Sequence, residues 1–143
     1  MRCELIRATA QLLTAALLLA QCSGVAGMAG SDQPQPPVID PAVRSALRAG
    51  ISRVIVELRI SPPFTPEGDL PNAAAVAAQR QAIAKAQADL LGRLKGTRFS
   101  VSHQYDGLPM TALEIGGDAL RRLEASGDVV LRVVLDAKRV PQS

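Results

Sequence analysis

Aromatic side chains are nearly absent from this 143-residue chain: Phe64, Phe99 and Tyr105 are all there are, and tryptophan is missing. A platform that stacks the bases of single-stranded nucleic acid needs aromatic faces, so that class of binder is excluded. Charge of one sign is also scarce. Sixteen Lys and Arg stand against thirteen Asp and Glu, a net +3 that is scattered along the chain. A DNA groove needs its basic residues concentrated, and no nucleic-acid partner is expected. His103 is the only histidine, and Cys3 and Cys22 are the only cysteines. A structural zinc site takes about four ligands, so a His/Cys centre within one chain is ruled out and no metal is expected. A Ser-His-Asp triad would have to use that one imidazole, and no G-x-S-x-G elbow presents a nucleophile to it. There is no phosphate loop. No cofactor and no catalytic residue are expected, and the chain reads as a binding module rather than an enzyme.

What is present begins with a leader. Arg2 and Arg7 make a positive start, Leu12 to Ala20 is apolar except for Thr14, and small residues follow at Ser23, Gly24, Ala26, Gly27, Ala29 and Gly30. This three-part order is that of a secretory signal peptide. The apolar run is shorter than the roughly 20 residues of a membrane span. Cleavage after Ala26 or Ala29 leaves small residues where a signal peptidase reads them. Residues 1–29 are therefore expected to be removed, and the product to be periplasmic or secreted. Leu19-Ala20-Gln21-Cys22 resembles a bacterial lipobox, which would make Cys22 a lipid anchor; Gln21 departs from it, because the residue before that cysteine is normally small. If Cys22 leaves with the leader instead, the mature chain has no cysteine and no disulfide framework.

Residues 30–50 read as a proline-rich linker, with Pro34, Pro36, Pro37 and Pro41 removing backbone donors. Asp40-Pro41 can start a short helix through Ala49, closed by Gly50. The domain proper is expected over residues 51–143. From Arg53 to Ile60, Val54, Val56, Leu58 and Ile60 share one parity while Arg53, Ile55, Glu57 and Arg59 share the other, the pattern of a strand. Pro62 and Pro63 end it, and a proline-broken loop containing Phe64 and Gly68 runs to Pro71. Asn72 is a good N-cap for a long helix over Ala73 to Leu94, whose stripe is Val76, Ile83, Leu90 and Leu94, joined by Ala86 and Leu91. Phe99 to Tyr105 alternates as a second strand. Asp106-Gly107-Leu108-Pro109 turns, and Met110 to Ile115 is a third strand with Thr111, Leu113 and Ile115 opposite Met110, Ala112 and Glu114. Asp118 to Ala125 is a short helix, and Val129 to Leu135 is a fourth strand, apolar except for Arg132, as for a strand covered on much of both faces. The order βαββαβ predicts an α+β fold: a ferredoxin-like four-stranded antiparallel sheet with two helices on one face. Such a fold hosts many functions and names none.

The residues that could carry chemistry have plain structural explanations. His103 shares parity with Val101 and Tyr105 and reads as a rim or satisfied histidine. Gly116-Gly117-Asp118 opens a helix and could hold an anion on free N–H groups; a tight strand-to-helix turn explains it as well. Glu57, Glu114 and Asp136 read as solvated charges in the isolated domain.

His103-Gln104-Tyr105-Asp106-Gly107-Leu108-Pro109-Met110-Thr111-Ala112-Leu113-Glu114-Ile115 is similar to the hairpin of subtilisin-type propeptides, the inhibitor I9 family. Asp118-Ala119-Leu120-Arg121-Arg122-Leu123 resembles that family's second helix, and Asp128 to Val133 through Asp136 resembles its closing strand and the Asp that follows. Val54 to Arg59, Pro66-Glu67-Gly68, Gln79 to Ile83 and Leu90-Leu91 with Arg93-Leu94 look like the upstream parts. The likeness covers about Ser52 to Pro141.

The resemblance implies a partner and a mode of binding. Such a propeptide templates the folding of a serine protease of the subtilisin type and then blocks it, as a chaperone and an inhibitor. The open sheet face packs on the enzyme and the C-terminal tail lies in the substrate cleft. Here that face would carry Met110, Ala112 and Glu114, with Glu57 and Arg132 beside them. The tail would be Asp136, Ala137, Lys138, Arg139, Val140, Pro141, Gln142 and Ser143, with the usual cleavage point near Gln142-Ser143. Pro141 departs from a simple edge pairing, since it lacks an N–H. No catalytic domain follows Ser143, so the expectation is a stand-alone monomer that inhibits or folds a subtilisin-like protease in trans. The alternatives are an exported interaction domain on the same fold with no protease target, a remnant of a truncated protease gene, and a small enzyme or ligand-binding domain built around His103.

Overall fold

The computed structural model describes residues 35–137, and the leader, Cys3, Cys22 and tail residues Lys138 to Ser143 lie outside them. Its elements are β1 (Val38–Ile39), α1 (Pro41–Leu47), β2 (Ser52–Leu58), α2 (Ala73–Leu94), β3 (Phe99–Gln104), β4 (Met110–Ile115), α3 (Gly117–Glu124) and β5 (Val130–Leu135). A 3-10 turn at Glu67–Asp69 interrupts the loop before α2.

Local chemistry accounts for the helices. The α2 segment is rich in Ala, Gln and Leu, which lose little side-chain freedom in a helix. Asn72 caps it, its side chain accepting the Ala75 N–H at 2.8 Å, a bond that stabilises a helix start by about 1 kcal/mol. Asp40 caps α1 in the same way, accepting from the Ala42 N–H at 2.8 Å, and Pro41 stands where its missing donor costs nothing.

The sheet has the strand order β1-β5-β2-β4-β3. Strands β2, β3, β4 and β5 are joined by antiparallel ladders, whereas β1 runs parallel to β5. The sheet is thus five-stranded and mixed, in place of the four antiparallel strands expected from the sequence; the short helix expected from Asp40-Pro41 is α1, and it joins the two helices expected on the sheet. The extra strand comes from inside the segment read as a linker. Val38 and Ile39 pair with Arg132 and Val133, and the Asp40 N–H donates to the Val133 carbonyl at 3.0 Å. Prolines at 36 and 37 supply no N–H, which limits this strand to two residues. Two residues give no alternation to detect, so the pairing was invisible to periodicity.

All three helices lie on one face. Val43 from α1, Ala86, Leu90 and Leu94 from α2, and Ala119, Leu120 and Leu123 from α3 share one cluster with Val54, Val56 and Leu58 of β2, Leu113 and Ile115 of β4, and Val130 and Val133 of β5. Burying each Val, Leu or Ile of this cluster contributes about 1.5–3 kcal/mol. The parity expected for β2 and β4 is the parity observed. Strand β5 differs from expectation: its register shifts opposite Glu57 and Leu58, and Leu131 and Arg132 are exposed. One face of β5 is covered and the other is not.

Candidate functional site

Directly opposed residues of antiparallel strands share a face, so the register defines what the helix-free side of the sheet displays. Arg132, Glu57 and Met110 form one row across β5, β2 and β4. Val134, Ile55, Ala112 and His103 form the next, reaching β3. Arg53, Glu114 and Ser100 form the third. Glu57, Met110, Ala112, Glu114 and Arg132, expected together from the sequence, therefore share one side of the sheet, with Ala112 itself only 3% exposed between its cross-strand neighbours Ile55 and His103. An apolar band crosses its middle, and charged residues flank the band. Among the described residues, no element covers this face.

The charges on it are lightly held. Glu57 meets the Arg132 guanidinium at 4.0 Å, and Glu114 accepts from the Ser100 hydroxyl at 3.4 Å. Exposed contacts of this kind stabilise by about 0–1 kcal/mol and leave the carboxylates open to other donors.

His103 is not where parity put it. Between Val101 and His103 strand β3 advances two residues while β4 advances one, so Val101 faces Leu113 and His103 faces Ala112. The bulge at Ser102 turns the imidazole onto the open face, where it meets the Tyr105 ring edge-on with centroids 4.5 Å apart. No acid–base partner for His103 is present among the hydrogen bonds and ion pairs of the described residues, and the ring makes an aromatic contact.

Beyond Met110 the face runs into a groove of about 730 Å³. Its floor is the end of β2, held between two neighbours: the Leu58 N–H donates to the Pro109 carbonyl and the Arg59 N–H to the Val129 carbonyl, each at 2.7 Å. Its apolar walls include Phe64, Leu108 and Leu131, which are 37–40% exposed.

Two glutamines of α2 fix the loops that bring those walls together. Gln79 and Gln87 are buried in the helix stripe. The Gln79 amide makes a reciprocal pair with the Thr65 backbone, accepting its N–H at 2.9 Å and donating to its carbonyl at 2.8 Å. The Gln87 amide donates to the Tyr105 carbonyl at 3.0 Å and the Met110 carbonyl at 3.2 Å. Reading the sequence for apolar periodicity passed over both residues. Their signal was there: positions 79, 83, 87, 90 and 94 keep helical spacing, and a polar amide in a buried stripe must find partners.

The Gly116-Gly117-Asp118 turn is occupied by its own acid. Asp118 accepts the Arg98 backbone N–H at 2.8 Å. That bond holds its carboxyl below the usual carboxylate range. A Cβ on Gly116 would lie 2.9 Å from the Asp118 carboxylate and 3.3 Å from the Arg98 side chain. Gly116 thus serves the packing of a tight turn, whereas a Cβ on Gly117 would meet nothing within 4 Å, and the helix start already faces a negative charge.

At the far end of β5, Asp136 continues the third row. Its N–H donates to the Arg53 carbonyl at 3.0 Å, and its carboxylate pairs with the Arg53 guanidinium at 3.2 Å. Asp136 and Ala137 are exposed to intermediate or full extent, and from Lys138 onward the tail lies outside the described residues, as does Cys22. Among the described residues, no group of three His, Cys, Asp or Glu is placed to hold a metal ion, and no helix is long and apolar enough to cross a membrane. Comparison with protein-family models, curated proteins and solved structures finds no match for this chain.

Proposed function

We propose that this chain is a propeptide-like inhibitor or folding template of a subtilisin-like serine protease, exported to the periplasm or beyond the cell. The observation that carries the reading is the open sheet face: Glu57, Met110, Ala112, Glu114 and Arg132 share a side of the sheet that no described element covers, with three helices packed behind it. Leaving out β1 and α1, the order βαββαβ and the strand sequence β5-β2-β4-β3 follow a ferredoxin-like plan, the fold implied by the resemblance to the inhibitor I9 family.

The physical logic is complementarity of layers. A sheet buries one face against its own helices, and a partner's helices can cover the other. The apolar band supplies burial, and the lightly held carboxylates of Glu57 and Glu114 can meet the positive ends of partner helices. The tail departs from a fixed point, because Arg53 holds both the backbone and the carboxylate of Asp136. An extended tail can then add as a strand to the edge of a substrate cleft. In this reading the chain carries no catalytic residue, takes no cofactor and works as a monomer.

The test is inhibition of a panel of subtilisin-like proteases by the purified protein, with and without Lys138 to Ser143. Tight inhibition that disappears with the tail supports product-like occupancy of the cleft. A folded full chain that neither inhibits nor assists refolding of any protease in the panel overturns the proposal, and an exported interaction domain is then the better reading.

A further inference from the structure

The groove at the β2 end of the sheet is a built feature. Its two loops are tied to α2 by Gln79 and Gln87, and three large apolar side chains, Phe64, Leu108 and Leu131, are left partly exposed around it. Exposed apolar groups gathered in one concavity mark contact sites more often than single ones do. The groove is also continuous with the open face, since Glu57 and Met110 belong to both.

Its charges say what kind of group it accepts. Asp128 is engaged through both carboxylate oxygens by the Arg93 guanidinium. Arg59 spends its guanidinium on backbone, donating to the Gly127 carbonyl at 2.9 Å and the Gln35 carbonyl at 3.4 Å. Glu57 alone keeps capacity, because Arg132 approaches it only to 4.0 Å and both side chains are partly exposed. The groove therefore offers apolar walls and one available negative charge. It complements a large apolar side chain that stands next to a cation or a set of free N–H donors.

We propose that this groove is a second anchor point for the same protease: it takes a large apolar side chain from the enzyme's surface, flanked by a positive group that meets Glu57. The proposal rests on the reading of the open face as the protease-binding surface and adds a specificity determinant to it. The sheet face and the tail are general features of such docking. A pocket with one open carboxylate selects among proteases by what their surfaces present outside the substrate cleft.

The experiment compares the purified wild-type protein with the double variant Leu108→Ser, Leu131→Ser and with Phe64→Ser, across the panel of subtilisin-like proteases. All three positions are partly exposed, so the fold is expected to persist, and circular dichroism and thermal melting check it for each. The expected result is inhibition weakened by roughly tenfold or more for the double variant, with a loss that differs between proteases and with the effect of removing the tail unchanged. Wild-type inhibition with both folded variants within about twofold of it (roughly 0.4 kcal/mol) overturns the groove and leaves the open-face reading standing. A wild type that neither inhibits nor assists the refolding of any protease in the panel overturns the open-face reading, and the groove proposal falls with it. If the double variant does not fold, Phe64→Ser alone decides the matter by the same criterion.

Discussion

Gly127 lies so close to the backbone of Gln35 that a Cβ at position 127 would fall 2.5 Å from the Gln35 carbonyl oxygen. The contact joins the turn before β5 to the chain entering β1, and Arg59 bridges the same two carbonyls with its guanidinium. The close approach sits at the edge of the five-stranded sheet where β1 pairs with β5.

Gly127→Ala is accordingly expected to push the N-terminal segment away from β5. The cost is that of an overpacked contact, about 1–3 kcal/mol. Amide hydrogen exchange locates the effect: the Asp40 N–H, which donates to Val133, should lose protection, while β4 amides keep theirs. Unchanged protection at Asp40 in a folded variant would show that β1 docks without this contact.

Adjacent residues of β4 separate stability from binding. Leu113 is fully buried under the helices and Glu114 is exposed on the open face. Leu113→Ala should lose about 2–5 kcal/mol in a denaturant titration. Glu114→Lys should stay within about 0.5 kcal/mol of wild type in the same titration. In the protease assay Glu114→Lys should nevertheless inhibit more weakly, mostly through slower association if its role is electrostatic. A Glu114→Lys protein that inhibits as the wild type does removes this carboxylate from the interface.

Gln87→Leu keeps the size of the side chain and deletes the donor to the Tyr105 and Met110 carbonyls. A buried polar group left without its partner costs about 1–3 kcal/mol. The loss should appear as higher mobility of the loop at Asp106 to Pro109, measured by hydrogen exchange, before it appears in global unfolding. Gln79→Leu should do the same for the loop around Thr65. Equal protection of both loops in the variants would mean that the prolines alone order them.

Among the described residues, three carboxyls are held below their ordinary range: Glu67 by the Arg80 guanidinium, Asp128 by the Arg93 guanidinium, and Asp118 by the Arg98 backbone N–H. A depressed native pKa means the unfolded chain binds the proton more readily, so stability rises with pH through this range. The contribution is complete above the carboxyls' unfolded values and is lost as the pH falls through the lower native ones. Melting temperature should therefore be flat near neutrality and drop on acidification. Asp118→Asn should melt lower at neutral pH and converge on wild type in acid. A constant gap between the two at every pH would assign Asp118 no titrating role.

Much of the fold was readable along the chain because it rests on local rules. The bounds of α2 follow from Asn72, from residues that favour helix, and from the apolar spacing of Ile83, Leu90 and Leu94. The faces of β2 and β4 follow from strict alternation, and alternation also brought Glu57, Met110, Ala112 and Glu114 to one side. These properties need only the geometry of a single helix or strand.

The remainder was decided by contacts between distant residues. A two-residue strand has no period, so only its pairing with Arg132 and Val133 reveals β1. A bulge is defined by the partner strand, and the one at Ser102 turned His103 from the expected rim to the open face. The groove needs the loops of Phe64 and Leu108 and the start of β5 in one place, held by Gln79 and Gln87. The sequence by itself determined the three helices, four of the strands, their order and the inward faces of α2, β2 and β4, since backbone geometry imposes those residue by residue. The tertiary structure alone decided the fifth strand, the side His103 takes and the walls of the groove, since each depends on where a second segment of chain comes to rest.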